Sequence, residues 1–374
     1  MAITINGSTG IDPLIQNGNN ISAVNSLGFR NRIINGDMRI DQRNNGASVN
    51  LGTSGASSQY TLDRWNFDFS QAPKLSAAQS ANAPAGFSSS LLVTSLAATT
   101  ISAGDYFQVN QKIEGFNTSD LAFGSASAST VTFSFWVKSS LTGSFSGALK
   151  NSAQSRSYPF SYTITAASTW EQKTVTIAGD TSGTWVGSTN GAGLVANFSL
   201  GMGSTFSGTA NAWASSNLGG VTGAINLAAT NAATWQITGV QLEAGTVATP
   251  FERRDYGREL MMCQRYYFKF LVTGGSSAFG SGFAESATVA MCTMNFPTSM
   301  RAAPTALETT GTATDYRIRY QATNTACSVV PSNFANEATN ASFRFTVASG
   351  LTAGNGVMAA TNSASAYLAW SAEL

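Results

Sequence analysis

From residue 72 to residue 249 one pattern recurs: short apolar or alternating runs, each bounded by Gly, Asn, Ser or Asp. SSLLVTSL, GDYFQVNQKIEG, STVTFSFWVKSS, GSFSGALKN, YPFSYTIT, WEQKTVTIAG, LVANFSLGMG and TWQITGVQL all read as strands. In TVTFSFWVK the residues Val131, Phe133, Phe135 and Val137 share one face, and Trp136 falls on the other as an intersheet or intersubunit residue. In TWQITGVQL, Trp235 and Ile237 point one way. The phase then slips at Gly239 so that Val240 and Leu242 take over the buried face, as a bulge allows. Strands of this number and length predict a two-sheet jelly roll. No fixed period supports a solenoid, propeller or β-helix.

Beyond residue 250 the patterning changes. DYGRELMMCQ is the one convincing helix, with Asp255 as its cap and Tyr256, Leu260 and Cys263 at helical spacing. RYYFKFLV returns to alternation, with Tyr266, Phe268 and Phe270 on one face. Further strand candidates at 286–296, 315–322, 342–347 and 366–370 suggest a second, smaller β-sandwich, and the two prolines of FPTSMRAAPTAL mark an extended connector. The expected organisation is an extended N-terminal segment at 1–28, a jelly-roll sandwich at 29–254, a helix-strand junction at 255–270 and a distal sandwich at 271–374. Residues 1–28 have little to pack, so they either fray or become ordered by adding a strand to, or wrapping, a partner.

Charge sharpens this division. Charged residues make up 10% of the chain, against roughly 25% in typical soluble proteins. The 180 residues from Gln71 to Pro250 carry twelve, whereas Glu252 to Lys269 alone carry eight. A second concentration lies in GFRNRIINGDMRIDQRNNG and YTLDRWNF, where alternating Arg and Asp suggest local ion pairs and turn caps. Period-two alternation in DMRIDQR puts Met38 and Ile40 on one strand face and Arg39, Asp41 and Arg43 on the other, and Asp63 and Trp65 look like the start of the sandwich core. Oxygen ligation of calcium by Asp37, Asp41 or Asp63 matches no calcium-loop spacing, and solvated pairs are the commoner reading.

The net charge of +1 implies no steering toward nucleic acid or an anionic membrane, and no apolar run approaches a bilayer span. Without a signal-peptide pattern, the expectation is a soluble protein made in a cytoplasm. Three well-separated cysteines argue against a disulfide framework or zinc knuckle and for buried thiols. The chain has no histidine, which removes Ser/His/Asp and Cys/His mechanisms and histidine-ligated metals. No cofactor or metal site is expected.

TWQITGVQLEAGTVATPFERRDYGRELMMCQRYY resembles the closing strand and junction of tail fibre and related appendage proteins of tailed bacteriophages. RNRIINGDMRIDQRNNG with YTLDRW, GDTSGTWVGSTNGAG, FPTSMRAAPTAL and the final SAEL resemble other segments of that group, and MAITINGSTGI is similar to the starts of phage fibre proteins. The resemblance implies a virion structural protein made in the host bacterium, usually a homotrimer, with a jelly roll similar to carbohydrate-binding modules. It also implies attachment to other virion proteins through the N-terminus, including Ile3 and Ile5, and a host cell-surface polysaccharide as receptor. A tail fibre and a head fibre or capsid decoration protein both fit.

For chemistry, a polysaccharide depolymerase needs two carboxylates across the scissile bond. Asp105, Glu114, Asp120, Glu171, Asp180 and Glu243 lie on separate segments and nothing selects a pair, so the expectation is a non-enzyme. For glycan binding, Trp185 and Trp213 in turn-like surroundings are the stacking candidates, with Tyr158 and Trp170 as weaker ones. Loop aromatics more often plug the open end of a sandwich. For assembly, Tyr256, Leu260, Met261 and Met262 surround the short helix beside Arg253, Arg254, Arg258 and Glu259; such a helix is buried either on a trimer axis or between the two β domains.

Overall fold

The computed structural model describes residues 29–53, 57–271 and 277–374, with four short backbone strands before them. Ile5–Asn6 pairs antiparallel with Gly10–Ile11, and Leu14–Gln16 with Asn19–Ile21; Ile3 and the Ile5 side chain lie outside the described residues.

Two six-stranded sheets face each other across a single core. The first has the order Ser157–Ile164, Gly143–Lys150, Ala192–Met202, Tyr106–Glu114, Asn66–Phe69, Ser58–Tyr60. The second runs Glu171–Ile177, Val131–Ser139, Thr234–Ala244, Ser90–Ser95, Leu75–Ser80, Val49–Asn50. Every pairing within the two sheets is antiparallel, which is the jelly-roll sandwich the alternation predicted. Val131, Phe133, Phe135 and Val137 are all fully buried, and Phe133 and Phe135 pack on Phe198 of the opposite sheet.

The phase slip in Thr234–Ala244 is real. Ser134 pairs with Gln241 while Trp136 pairs with Thr238, so Gly239 is the extra residue of a bulge. Its φ is +61°, and a Cβ there would lie 2.7 Å from the Phe87 ring, so glycine serves both the backbone and the packing.

The segment 29–46 departs from the expected strand. Asn35 and Met38 take left-handed φ values of 55° and 59°, which breaks the extended run. Met38 and Ile40 are nevertheless buried, because the Asn35 amide supplies the missing ladder, accepting from Ile40 N at 3.0 Å and donating to Ile40 O at 2.8 Å. The segment crosses one end of the sandwich, held by Arg32 N donating to Leu242 O and Val240 N donating to Gly36 O. Trp65 and Asp63 are both fully buried beside it.

The helix Tyr256–Gln264 begins on Asp255, whose side chain accepts from Arg258 N at 2.9 Å. The spacing of Tyr256, Leu260 and Cys263 does not make one buried face. Cys263 is fully buried and Leu260 half-buried, but Tyr256 is 55% exposed, lying in the first turn over Arg39 and beyond the edge of the sandwich. Among the described residues no helix is long and apolar enough to cross a membrane.

The distal unit is a closed six-stranded barrel rather than two facing sheets. Its strands run Ala278–Ala284, Val289–Asn295, Asn340–Val347, Thr323–Asn336, Tyr316–Tyr320, Gly356–Thr361, and the first and last pair to close the ring. Closure comes from strands that alternation did not reveal: the glycine-interrupted AFGSGFA, GVMAAT, and a long strand with Pro331 and three register shifts. Tyr267–Leu271 pairs with Tyr367–Ser371 and delivers Phe268 and Trp370 to the barrel core. The three cysteines are free and buried, with burial raising all three thiols.

Candidate functional site

The sequence-predicted aromatics fall into two groups. Trp185, Trp213 and Tyr158 meet at one end of the sandwich with Phe123, each contact edge-on: Trp185 to Trp213 at 5.6 Å, Phe123 to Trp185 at 4.9 Å and Tyr158 to Trp213 at 5.3 Å. Both indole N–H groups are satisfied by carbonyls, of Ser182 at 3.0 Å and Ala178 at 2.7 Å. The hollow beside Phe123 and Trp185 holds about 50 Å³, room for a water or two rather than a sugar ring. This geometry is that of a plug. Trp170 stands apart, donating to Asn82 Oδ1 at 3.1 Å with the Lys138 ammonium over its ring.

The junction residues are committed within the chain. Arg254 is buried and donates to the carbonyls of Asn31 and Ile33 while pairing with Glu259 and Glu252. Arg253 lies over Phe87 and Phe251. Arg265 and the Tyr266 hydroxyl both reach Glu114 of the first sheet, at 2.6 Å each, so the charge of this stretch ties helix to sandwich. Tyr256 and Met261 stay outside, 55% and 51% exposed.

The acids weighed for hydrolysis each have their own partner. Asp105 accepts from Ser70, Gln71 and Ser102, Asp120 pairs with Arg32, and Asp180 with Arg156. Glu171 pairs with Lys173, and Glu243 accepts from Gln241 and Thr249. Hydrogen bonds from Gln71, Ser102 and Ser70 hold the Asp105 carboxyl below its ordinary value despite the opposing effect of burial.

A cleft on the outer face of the first sheet is the more distinctive site, and its residues were read in the sequence only as strand. Alternation along Tyr106–Glu114 sends Phe107 and Val109 into the core and leaves Tyr106, Gln108, Asn110 and Lys112 to line the cleft. Register extends these positions sideways: Gln108 lies opposite Asp68 and Ser199, and Asn110 opposite Asn66 and Asn197. Asn197 in turn faces Ala148, and Lys150 faces Val195. The result is a polar outer face with two lobes of about 360 and 270 Å³ that share Asp68, Gln108, Lys112, Lys150 and Gln154. Tyr106 packs edge-on against Phe206 at the first lobe, while Arg301 and Leu374 of the distal unit rim the second.

The polar groups here are not fully satisfied. Asp68 accepts from Asn66, Gln108 and Asn110, the last at 2.7 Å. Asn110 Oδ1, in the second lobe, is buried with no partner among the described residues; Asn197 Oδ1 and Ser146 Oγ, likewise without one, lie beside the Gly219–Gly220 segment and outside the cleft lining. Lys150 is 3% exposed, and burial pulls its ammonium down to about 8 against the opposing pull of Asp68. A buried acceptor left unpaired beside a cleft is a place where a donor from a ligand can bind. The sequence signal that could have found this site is the alternate set Tyr106, Gln108, Asn110, Lys112, polar at every position.

No protein-family model matches the chain, and no curated protein matches it. Among solved structures, it is similar to the enzymatically active domain of tailspike protein 4 of bacteriophage CBA120, at 14% identity and a TM-score of 0.28, covering 56% of this chain and 22% of that one. It is similar to a putative sugar binding protein from Bacteroides thetaiotaomicron at 12% identity and a TM-score of 0.33, covering 58% and 100%. A family 11 carbohydrate-binding module from Clostridium thermocellum, solved with a mixed-linked tetrasaccharide, gives 10% identity and a TM-score of 0.28 over 51% of this chain and 98% of that one. At these scores the likenesses assign the chain to no family.

Proposed function

We propose that the chain is a non-catalytic glycan-binding protein of a bacteriophage appendage, and that the cleft on the outer face of the first sheet holds the saccharide. One observation carries the reading: the buried, unpaired amide oxygen of Asn110 and the poorly partnered ammonium of Lys150 line two joined lobes together with further polar side chains. Sugar hydroxyls donate and accept at short spacing, so they complete such a face, and Tyr106 offers an apolar ring at its edge. The segments that resemble phage fibre proteins support the virion setting. Self-association as a trimer through the exposed Tyr256 and Met261 belongs to the same proposal.

Titration of the purified chain with oligosaccharides from bacterial surface polysaccharides tests it. Binding that is lost in Tyr106→Ala and Gln108→Ala, with product-free sugar recovered afterwards, is the expected result. Shortened sugar chains would overturn the non-catalytic part, and binding indifferent to both substitutions would overturn the site.

A further inference from the structure

We infer that the cleft selects a saccharide bearing a negatively charged group, a carboxylate or a phosphate, which seats against Lys150. The inference rests on the glycan reading above and specifies its ligand. Three cationic side chains, Lys112, Lys150 and Arg301, line the joined lobes against one carboxylate side chain, Asp68. That carboxylate already accepts three amide hydrogen bonds and pairs with none of the cations.

Arg301 and Lys150 instead meet neutral oxygens. Arg301 donates to the carbonyls of Asn190, Ala372 and Glu373, and Lys112 to a backbone oxygen of Leu374. Lys150 has the poorest partners, Gln108 Oε1 and Asn217 Oδ1, both at 3.4 Å, although it is almost wholly buried. A buried ammonium without a close anion is costly, and an anionic group entering the cleft supplies the missing partner. Neutral sugars leave that charge with only the pull of Asp68. Lys150 lies on a strand paired on both sides, between Ser157–Ile164 and Ala192–Met202, and is 3% exposed although it lines the cleft.

The test is calorimetric titration of the full chain with three size-matched probes: a neutral glucan, a glucuronate-containing oligosaccharide and a phosphorylated oligosaccharide. At least one acidic probe binds about tenfold or more tighter than the neutral one, its affinity falls as salt is raised, and the two acidic arms show which anion is preferred. Lys150→Met removes that preference, and Lys150→Arg keeps part of it. Equal affinity for neutral and acidic probes in the wild-type chain overturns the inference without any variant. If that shared binding is still lost in Tyr106→Ala, the cleft stands and only the ligand class falls; if it persists, the cleft reading falls as well. Absence of binding by either acidic probe at millimolar concentration, or preference of the cleft for a single-stranded oligonucleotide, also overturns it.

Discussion

Glu373 and Arg64, 309 residues apart, form a buried ion pair that ties the distal barrel to the sandwich. Their side chains are 5% and 1% exposed, and Arg43 reaches the same carboxylate at 3.3 Å. Arg64 also lies over the Tyr266 ring at 3.5 Å. Next to them the Leu374 carbonyl accepts from Tyr60 and Lys112, so the pair also fixes one rim of the cleft.

Removing one partner strands a buried charge. Glu373→Ala is expected to cost about 3–5 kcal/mol in denaturant unfolding and to weaken saccharide binding at the second lobe. An unchanged midpoint would show that the two units are joined elsewhere.

Asp63 gives the fold a pH dependence. Burial raises its carboxyl to about 6, against hydrogen bonds from Gln42 and the charge of Arg43 that lower it. The folded state therefore binds a proton more tightly than the unfolded chain, whose ordinary value is 3.8. The contribution of this group is full below the unfolded value and is lost as pH rises toward 6, a change on the order of 3 kcal/mol. Asp63→Asn should flatten stability between about pH 4 and 6, read by unfolding at each pH; a slope that persists would assign it to another group.

The aromatic plug should matter to stability and not to binding. Trp213→Ala removes edge-on contacts with Phe123, Tyr158 and Trp185 and is expected to cost about 2–4 kcal/mol while leaving saccharide affinity unchanged. Loss of affinity without loss of stability would return Trp185 and Trp213 to the role of sugar platforms.

Self-association is expected to depend on the outer face of the helix. Met261→Asp places a charge on a 51% exposed position, so the chain should fold normally but run at the monomer mass in light scattering, where the wild type is expected to run as a trimer. A monomeric wild type at micromolar concentration contradicts the assembly.

The sandwich was legible because its strands bury one face each: alternation placed Phe133, Phe135, Trp235 and Ile237 correctly and found the bulge at Gly239. The helix and its Asp255 cap were legible for the same local reason. What alternation could not supply was tertiary. Asn35 replaces a strand partner for Ile40 with its own side chain, a substitution invisible in a period-two pattern. The barrel closes through strands broken by glycine and by Pro331. The cleft escaped notice because Asp68, Asn110 and Lys150 come from three strands, and only register brings them to one face. Aromatic residues in loops were the more conspicuous signal, and they pack against each other.

If saccharide enters the cleft over Asn110 and Lys150, as proposed, one titration shows it directly. Calorimetry of the wild-type chain and Lys150→Met with an acidic oligosaccharide, repeated across pH, reports both site and charge. Asp68, Lys112, Tyr106 and Arg301 face the same space, but burial sets Lys150 apart by lowering its ammonium to about 8. The predicted result is affinity that holds below about pH 7 and falls as pH rises through about 8 in the wild type, and that is about tenfold or more weaker and flat in the variant. Wild type and variant binding alike, with the same pH profile, would contradict the account.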